Sequence, residues 1–175
     1  KMAVEVIGAD TASILLRDKS DDTMRIVSSC GIPKKIIKSA NVRVGESLAG
    51  MVAKDGRPMI VNSDEMGDNV AEHANRSDSI VSSAMAPIQL NNCARGVVNI
   101  AKRRPGACFT DEDLGVLSTL ANQCSLVIQK TDLLDDLRSQ GVIRAVGSGM
   151  NQWQVLTRFA KEANFDCFLL AGRYT

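Results

Sequence analysis

Apolar and polar positions divide this chain into short strand-like runs, one short helix and one long one. Thr11 to Arg17 (TASILLR) is an apolar run closed by Asp18, Lys19, Ser20, Asp21 and Asp22, as expected of a strand entering a turn. Thr23 to Cys30 (TMRIVSSC) alternates well enough to pair with it as a hairpin. Pro33 to Ala40 reads as a lysine-rich helical turn. Glu46 to Lys54 predicts a helix with an apolar face of Leu48, Met51 and Val52, and Gly56 is suited to end it in the left-handed conformation. Pro58 then opens the strand Met59-Ile60-Val61, where proline removes no interior ladder bond. Residues 63–81 are rich in Asp, Asn and Ser and predict a long polar connection. Ser83 to Leu90 and Gly96 to Lys102 are the next strands, joined by a hairpin loop from Asn91 to Arg95.

The longest signal begins at Asp111. Thr110 is placed to cap the first free amides, and Asp111, Glu112 and Asp113 set negative charge at the positive end of the helix dipole. Phe109 before the cap and Leu114 within the first turns predict a hydrophobic staple. Leu114, Leu117, Ala121, Cys124, Ile128 and Thr131 then fall at alternating three- and four-residue steps, a coiled-coil-like seam. A second stripe, Val116, Leu120 and Val127, is expected to cover a sheet while the first meets a partner helix. Such a seam is commonly intramolecular core, but two stripes on one helix cannot face the same sheet.

Composition narrows the function. The 175 residues carry 21 basic and 20 acidic side chains, so the totals show no nucleic-acid or anionic-membrane footprint. No apolar run approaches the ~20 residues of a bilayer span, and Glu5 and Asp10 in the N-terminal stretch argue against a signal peptide. Five cysteines, at positions 30, 93, 108, 124 and 167, show no close pairing, which predicts reduced thiols and a cytoplasmic protein. Of six aromatic residues, only Phe109 precedes residue 150. That shift predicts two pieces, residues 1–135 and 136–175, joined near Leu133 to Gln140.

Candidate chemistry is sparse. Gly45 to Gly50 has the outer frame of a phosphate-binding loop, but Met51 stands where its lysine belongs, so a helix entry is expected instead. Gly147-Ser148-Gly149, placed after an expected strand and before an expected helix, outlines a dinucleotide fingerprint whose third glycine is replaced by Gln152. His73 is the one histidine; without a second His or a Cys pair nearby, a solvated loop side chain outweighs a metal or haem ligand. Cys30 and Cys93 are the thiols to check for redox catalysis, with incidental thiols as the simpler reading. No catalytic residue, metal site or cofactor is expected.

Taken in order, TASILLRD, GESLAGMVAKDGRPMIVN, SSAMAPIQL, GVVNIAKRR and FTDEDLGVLSTLANQCSLVIQ resemble the GAF family of sensory domains over about residues 1–135. The resemblance implies an α+β fold (an α/β sandwich), with a central antiparallel sheet flanked by helices and a ligand pocket beneath the 63–81 connection. It points to Asn62, Asp64, Asn69, His73, Ser82, Ser83 and Met85 as ligand contacts, although exposed loop polarity explains the polar ones equally well. Family members often dimerise through their first and last helices; here only MAVEVIGAD remains of the first. A homodimer through Leu114, Leu117, Ala121, Cys124 and Ile128 is therefore expected. Some relatives reduce methionine sulfoxide with pocket cysteines, but the aromatics those enzymes place around substrate are missing from residues 1–108.

The remainder, DDLRSQGVIRAVGSGMNQWQVLTRFAKEANFDCFLLAGRYT, resembles an internal stretch of the aldo/keto reductase family, covering about residues 133–175. It predicts strand Val142–Val146, helix Gln152–Ala163 and strand Cys167–Ala171, one β-α-β crossover. Gly149 to Asn151 and Tyr174 are the nearest matches to loops that border the nicotinamide in that family. The rest of the barrel and its catalytic Tyr, Lys, Asp and His are absent from this stretch, so no reductase activity is expected. A lone crossover cannot cover both faces of its strands, so the piece is expected either to pack loosely or to rest on the GAF helices.

The combined expectation is a non-enzymatic regulatory domain that binds an unidentified small polar metabolite or nucleotide between the sheet and the 63–81 connection and dimerises, touching neither nucleic acid nor membrane. The alternatives are a dimerisation scaffold with an empty pocket, a methionine sulfoxide reductase-like enzyme, or an inactive reductase remnant.

Overall fold

Burial alternates along β1 (Thr11–Arg17), where Thr11, Ser13 and Leu15 are buried between half-buried neighbours, so one side of the strand faces a covered core. The computed structural model describes residues 2–18, 20–62, 80–150, 154, 157 and 165–170. These form two compact units, residues 1–127 and 128–175.

The first unit opens with the short helix α1 (Met2–Ile7) and is built on a six-stranded sheet. The strands are β1, β2 (Thr23–Cys30), β3 (Asn41–Arg43), β4 (Met59–Asn62), β5 (Ser82–Leu90) and β6 (Cys93–Lys102). Their order across the sheet is β3-β2-β1-β6-β5-β4, with every neighbouring pair antiparallel. This is an α+β architecture. Pro87 lies within β5 opposite Val97 of β6, yet it costs no ladder bond, because β4 pairs only as far as Met85.

Helices cover both faces. On one face α3 (Ser47–Asp55) packs Val52 and Ala53 against Leu15, Met24, Met85 and Val97. The buried side of α3 is Ala49, Gly50, Val52 and Ala53; Leu48 and Met51 are half-buried. The small residues bring the helix backbone close to the sheet edge: a Cβ on Gly50 would lie 2.3 Å from the Arg43 carbonyl oxygen. Gly56 ends the helix as expected, at φ 65° with its amide bonded to the Val52 carbonyl. The opposite face presents Ala84, Ala86, Ile88 and Ile100, all essentially inaccessible to solvent. There the long helix α4 (Asp111–Ser139) buries Leu117 and Ala121, and the Ser125 hydroxyl donates to the Gln89 carbonyl at the end of β5.

The α4 cap forms as the sequence predicts. The Asp113 amide donates to Thr110 Oγ1 at 3.3 Å, and the Thr110 amide to Asp113 Oδ2 at 3.0 Å, a reciprocal capping box. Two other expectations need correction. The β5–β6 connection is the two-residue turn Asn91-Asn92, not a loop to Arg95. Both asparagines take positive φ (49° and 64°), which matches the twist of a tight hairpin and lets β6 start at Cys93. The expected dimer seam also turns inward. Leu117 and Ala121 are fully buried within the protomer, while Leu114, Cys124 and Ile128 are half-buried. The stripe left outside is the other one, with Val116 39% and Val127 66% exposed beside Leu126 at 66%.

The second unit contains a parallel pair, β7 (Gly147–Met150) and β8 (Cys167–Leu170), in register from Gly147–Cys167 to Met150–Leu170. Strand Val142–Val146 is not formed; the strand begins at Gly147. Asp166 sets that start, its carboxylate accepting the Val146 amide at 2.8 Å and pairing with Arg138. These two donors hold the Asp166 carboxyl below its usual value, the Val146 amide contributing most. Gly147-Ser148-Gly149 is thus strand, not the strand-to-helix turn of a dinucleotide fingerprint. The expected helix Gln152–Ala163 lies mostly outside the described residues; residues 154 and 157 are helical.

Candidate functional site

A cavity of about 240 Å³ lies on the α3 side of the sheet. Its floor comes from alternate positions of adjacent strands: Ser13 and Leu15 of β1, Asn99 of β6, and Ser83 and Met85 of β5. The register explains the grouping, since Ser13 pairs with Asn99, and Asn99 with Met85, so all point to one side. Ile26 and Val61 extend the floor outward. The roof is α3, through Ser47, Leu48 and Ala49, together with Val42 of β3 and Ile36 of α2 (Lys34–Ser39). Ile80, Val81 and Ser82 complete the wall where the chain enters β5.

Two features of this site carry chemical information. Ser47 takes a left-handed φ of 63°, uncommon for a residue with a side chain, and its hydroxyl accepts the Gly50 amide at 3.4 Å. Asn99 Oδ1 is buried and has no hydrogen-bond partner among the described residues. Buried side-chain acceptors are seldom left this way. No described lining residue is ionisable or aromatic.

The sequence-predicted contacts separate into three groups. Ser82, Ser83 and Met85 line the cavity. Asn62 does not: strand alternation turns it to the α4 side, where its Oδ1 accepts the Ser82 hydroxyl at 2.5 Å and the Phe109 amide at 3.4 Å. That carbonyl oxygen fastens the approach to α4 to the sheet. Asp64, Asn69 and His73 lie outside the described residues, as do Asn151 and Tyr174 of the second unit.

Asn99 and Ser13 were not anticipated as site residues, and each carries a signal. Asn99 is a lone amide inside the apolar strand GVVNIAK, and Ser13 interrupts TASILL. A polar side chain within a strand buried on both faces requires a partner.

None of the five cysteines lines the cavity. Cys30 is half-buried at a strand end, and burial pushes the Cys124 thiol above its usual value, away from thiolate reactivity. Among the described residues no group of three His, Cys, Asp or Glu side chains is placed to hold a metal ion, and no helix is long and apolar enough to cross a membrane.

The family model described as GAF domain matches residues 2–129. Among solved structures the chain is similar to the GAF domain of an Acinetobacter phosphoenolpyruvate-protein phosphotransferase. Identity is 20% and the TM-score 0.64, over 75% of this chain and 78% of that one. The second GAF domain of DevS from Mycobacterium smegmatis is similar at 17% identity and TM-score 0.64, over 78% of this chain and 91% of that one. At these identities the likeness concerns the fold. A 42-residue stretch, 24% of the chain, is 48% identical to a pyridoxal 4-dehydrogenase of Microbacterium luteolum and spans 12% of that relative's length.

Proposed function

This chain belongs to the GAF domain family, and from that premise we propose that residues 2–129 are a non-catalytic sensor that binds a small molecule in the β1–β5–β6–α3 cavity. GAF domains are typically regulatory modules of signalling proteins rather than catalysts. The observation that carries the reading is the cavity itself, roofed by α3 over sheet residues of β1, β5 and β6. A ligand that binds only the folded protein raises its melting temperature. A metabolite panel screened by thermal shift against the full chain is therefore expected to yield at least one stabiliser. Its effect is expected to disappear in Ser83→Phe, which fills the cavity from β5. A silent panel, with ligand-free protein by native mass spectrometry, overturns sensing.

Pairing between two copies is the second part of the proposal, through the outward stripe of α4. Val116, Leu120, Gln123 and Val127 follow four-, three- and four-residue steps, the spacing of a helix–helix seam, and Val116 and Val127 are exposed. Sedimentation is expected to show a dimer that Val127→Asp converts to monomer; a monomeric parent refutes it. If the dimer forms while the cavity binds nothing, the scaffold reading replaces the sensor. Residues 136–175 are read as a β-α-β fragment related to the aldo/keto reductases and without reductase activity. Its parallel β7–β8 pair is the observation in favour.

A further inference from the structure

We propose that Asn62, Ser82 and Lys102 form a latch tying the cavity wall to the first turn of α4, so that what fills the cavity sets how readily that turn opens; this rests on the reading of the cavity as a ligand site. Three observations converge on the latch.

The first is a row across the sheet. Asn62 pairs with Ser82, and Ser82 with Lys102, so three neighbouring strands set these residues side by side at one end of the sheet. All three hold the same short segment. The Phe109 amide donates to Ser82 Oγ at 3.1 Å and to Asn62 Oδ1 at 3.4 Å, and the Ser82 hydroxyl donates to the same Asn62 oxygen. Lys102 Nζ donates to the Cys108 carbonyl at 2.9 Å, and lies 4.3 Å from the centre of the Phe109 ring and 3.9 Å from Asp113 Oδ2. Asp113 in turn caps Thr110. Contacts that share partners in this way form and break together rather than singly.

The second is where the row sits. Ser82 lines the cavity, as do Val81 and Ser83 on either side of it and Val61 next to Asn62. A displacement of this wall therefore moves both groups that accept the Phe109 amide. Ser82 and Phe109 are 1% and 3% exposed, so water does not replace a bond lost between them.

The third is the helix that follows. Gly115 comes just after the cap and has nothing within 4 Å of an added Cβ, so no packing contact requires glycine there. A glycine inside a helix weakens it relative to alanine. The buried anchors of α4, Leu117 and Ala121, come after it. The stretch from Asp111 to Gly115 is thus latched at its start and weak at its end. Such a segment opens as a unit while the rest of the helix stays docked.

The test is hydrogen exchange by NMR on the full chain. It is read at the amides of Phe109, Thr110, Asp113 and Leu114, with amides of the β1–β6 pairing as the reference for a folded sheet. The four cap amides are expected to exchange through one shared opening, faster than the reference. Lys102→Met keeps an apolar chain over Phe109 and removes the charge. It is expected to speed all four by one common factor of about fivefold, the Phe109 amide included although Lys102 does not bond it. Acceleration at Asp113 alone, or four unrelated factors, overturns the latch.

The link to the cavity is tested by filling it from two sides, with Leu48→Phe on α3 and Ser83→Phe on β5. Each is expected to slow the four cap amides together by about fivefold or more, the lower end of coupling between two sites. That effect is expected to vanish when Asn62→Ala is added. The latched form predominates throughout, so the change is read in opening and not in affinity. Reference amides protected as in the parent report that each variant is folded. Cap rates unchanged or faster in the folded filling variants, or slowed equally with Asn62→Ala present, overturn the coupling and leave the sensor reading standing. A silent metabolite panel overturns the sensor reading, while the exchange rates still decide the latch.

Discussion

Replacing Gly50 with alanine tests the placement of α3, and through it the cavity roof. In an exposed helix interior this change helps, since alanine has the higher helix propensity by about 1 kcal/mol. At Gly50 the new Cβ would lie 2.3 Å from the Arg43 carbonyl oxygen and 3.1 Å from the Gly45 amide nitrogen. Both are backbone atoms, so no side chain can swing aside. Restoring an ordinary contact requires α3 to move from β3 by about 0.7–1.1 Å, the gap between 2.3 Å and a tight 3.0–3.4 Å contact. Overpacking of this kind costs roughly 1–3 kcal/mol, and the backbone clash places Gly50→Ala near the upper end. After the propensity gain, a net loss of about 2 kcal/mol is expected. Gly115 on α4 has nothing within 4 Å of its added Cβ, so Gly115→Ala should stabilise by up to about 1 kcal/mol. Urea unfolding followed by far-UV circular dichroism reads both, and a 2 kcal/mol change shifts the midpoint by about 1 M. Because Ser47, Leu48 and Ala49 ride on the displaced helix, Gly50→Ala should also weaken binding of any stabiliser found in the metabolite panel. A Gly50→Ala protein as stable as Gly115→Ala would refute the close approach and the roof built on it.

Asn62→Ala removes the oxygen that accepts from Ser82 and Phe109, and should cost about 1–2 kcal/mol by urea unfolding while leaving the affinity for any stabiliser found in the metabolite panel unchanged. A loss of affinity without loss of stability would return Asn62 to the ligand site. Asp10 accepts the Arg103 amide at 2.8 Å and faces Arg104, and these contacts, the amide foremost, hold its carboxyl below the usual value. A depressed folded-state value adds stability that is present at neutral pH and lost as pH falls from about 5 through the range below ~3.9. Asp10→Asn should therefore be less stable than the parent at pH 7 and approach it at the acid end. A difference that stays constant across that range would remove the electrostatic account.

Local signals carried far in this chain. The strands from Thr11, Thr23 and Met59, the left-handed Gly56 and the Thr110 cap depend on neighbours close in sequence, and each forms where the residues indicated. Readings that needed a third dimension fared differently. Leu117 and Val116 are adjacent on α4 and equally apolar, and only the sheet's position decides that Leu117 is the buried one. Strand β3 has just three residues, too few for any periodicity to mark it, and its place is set by pairing with β2. Asn62 follows the strand it was assigned to, yet alternation through β4 turned it away from the cavity. Asn99 was legible as an anomaly within GVVNIAK but not as a floor residue, because its neighbours Ser13 and Met85 come from strands distant in sequence.

The strand order has a consequence for how the chain is made. β1 and β2 form one hairpin and β5 and β6 another, each closed by a short local turn. Among the described strands the two are paired through β1 against β6, where Thr11 meets Ala101. During synthesis the first hairpin must therefore wait with one side unpaired until nearly the whole second hairpin has left the ribosome. Such a long-range closure slows folding and leaves a bare strand open to wrong partners in the interval.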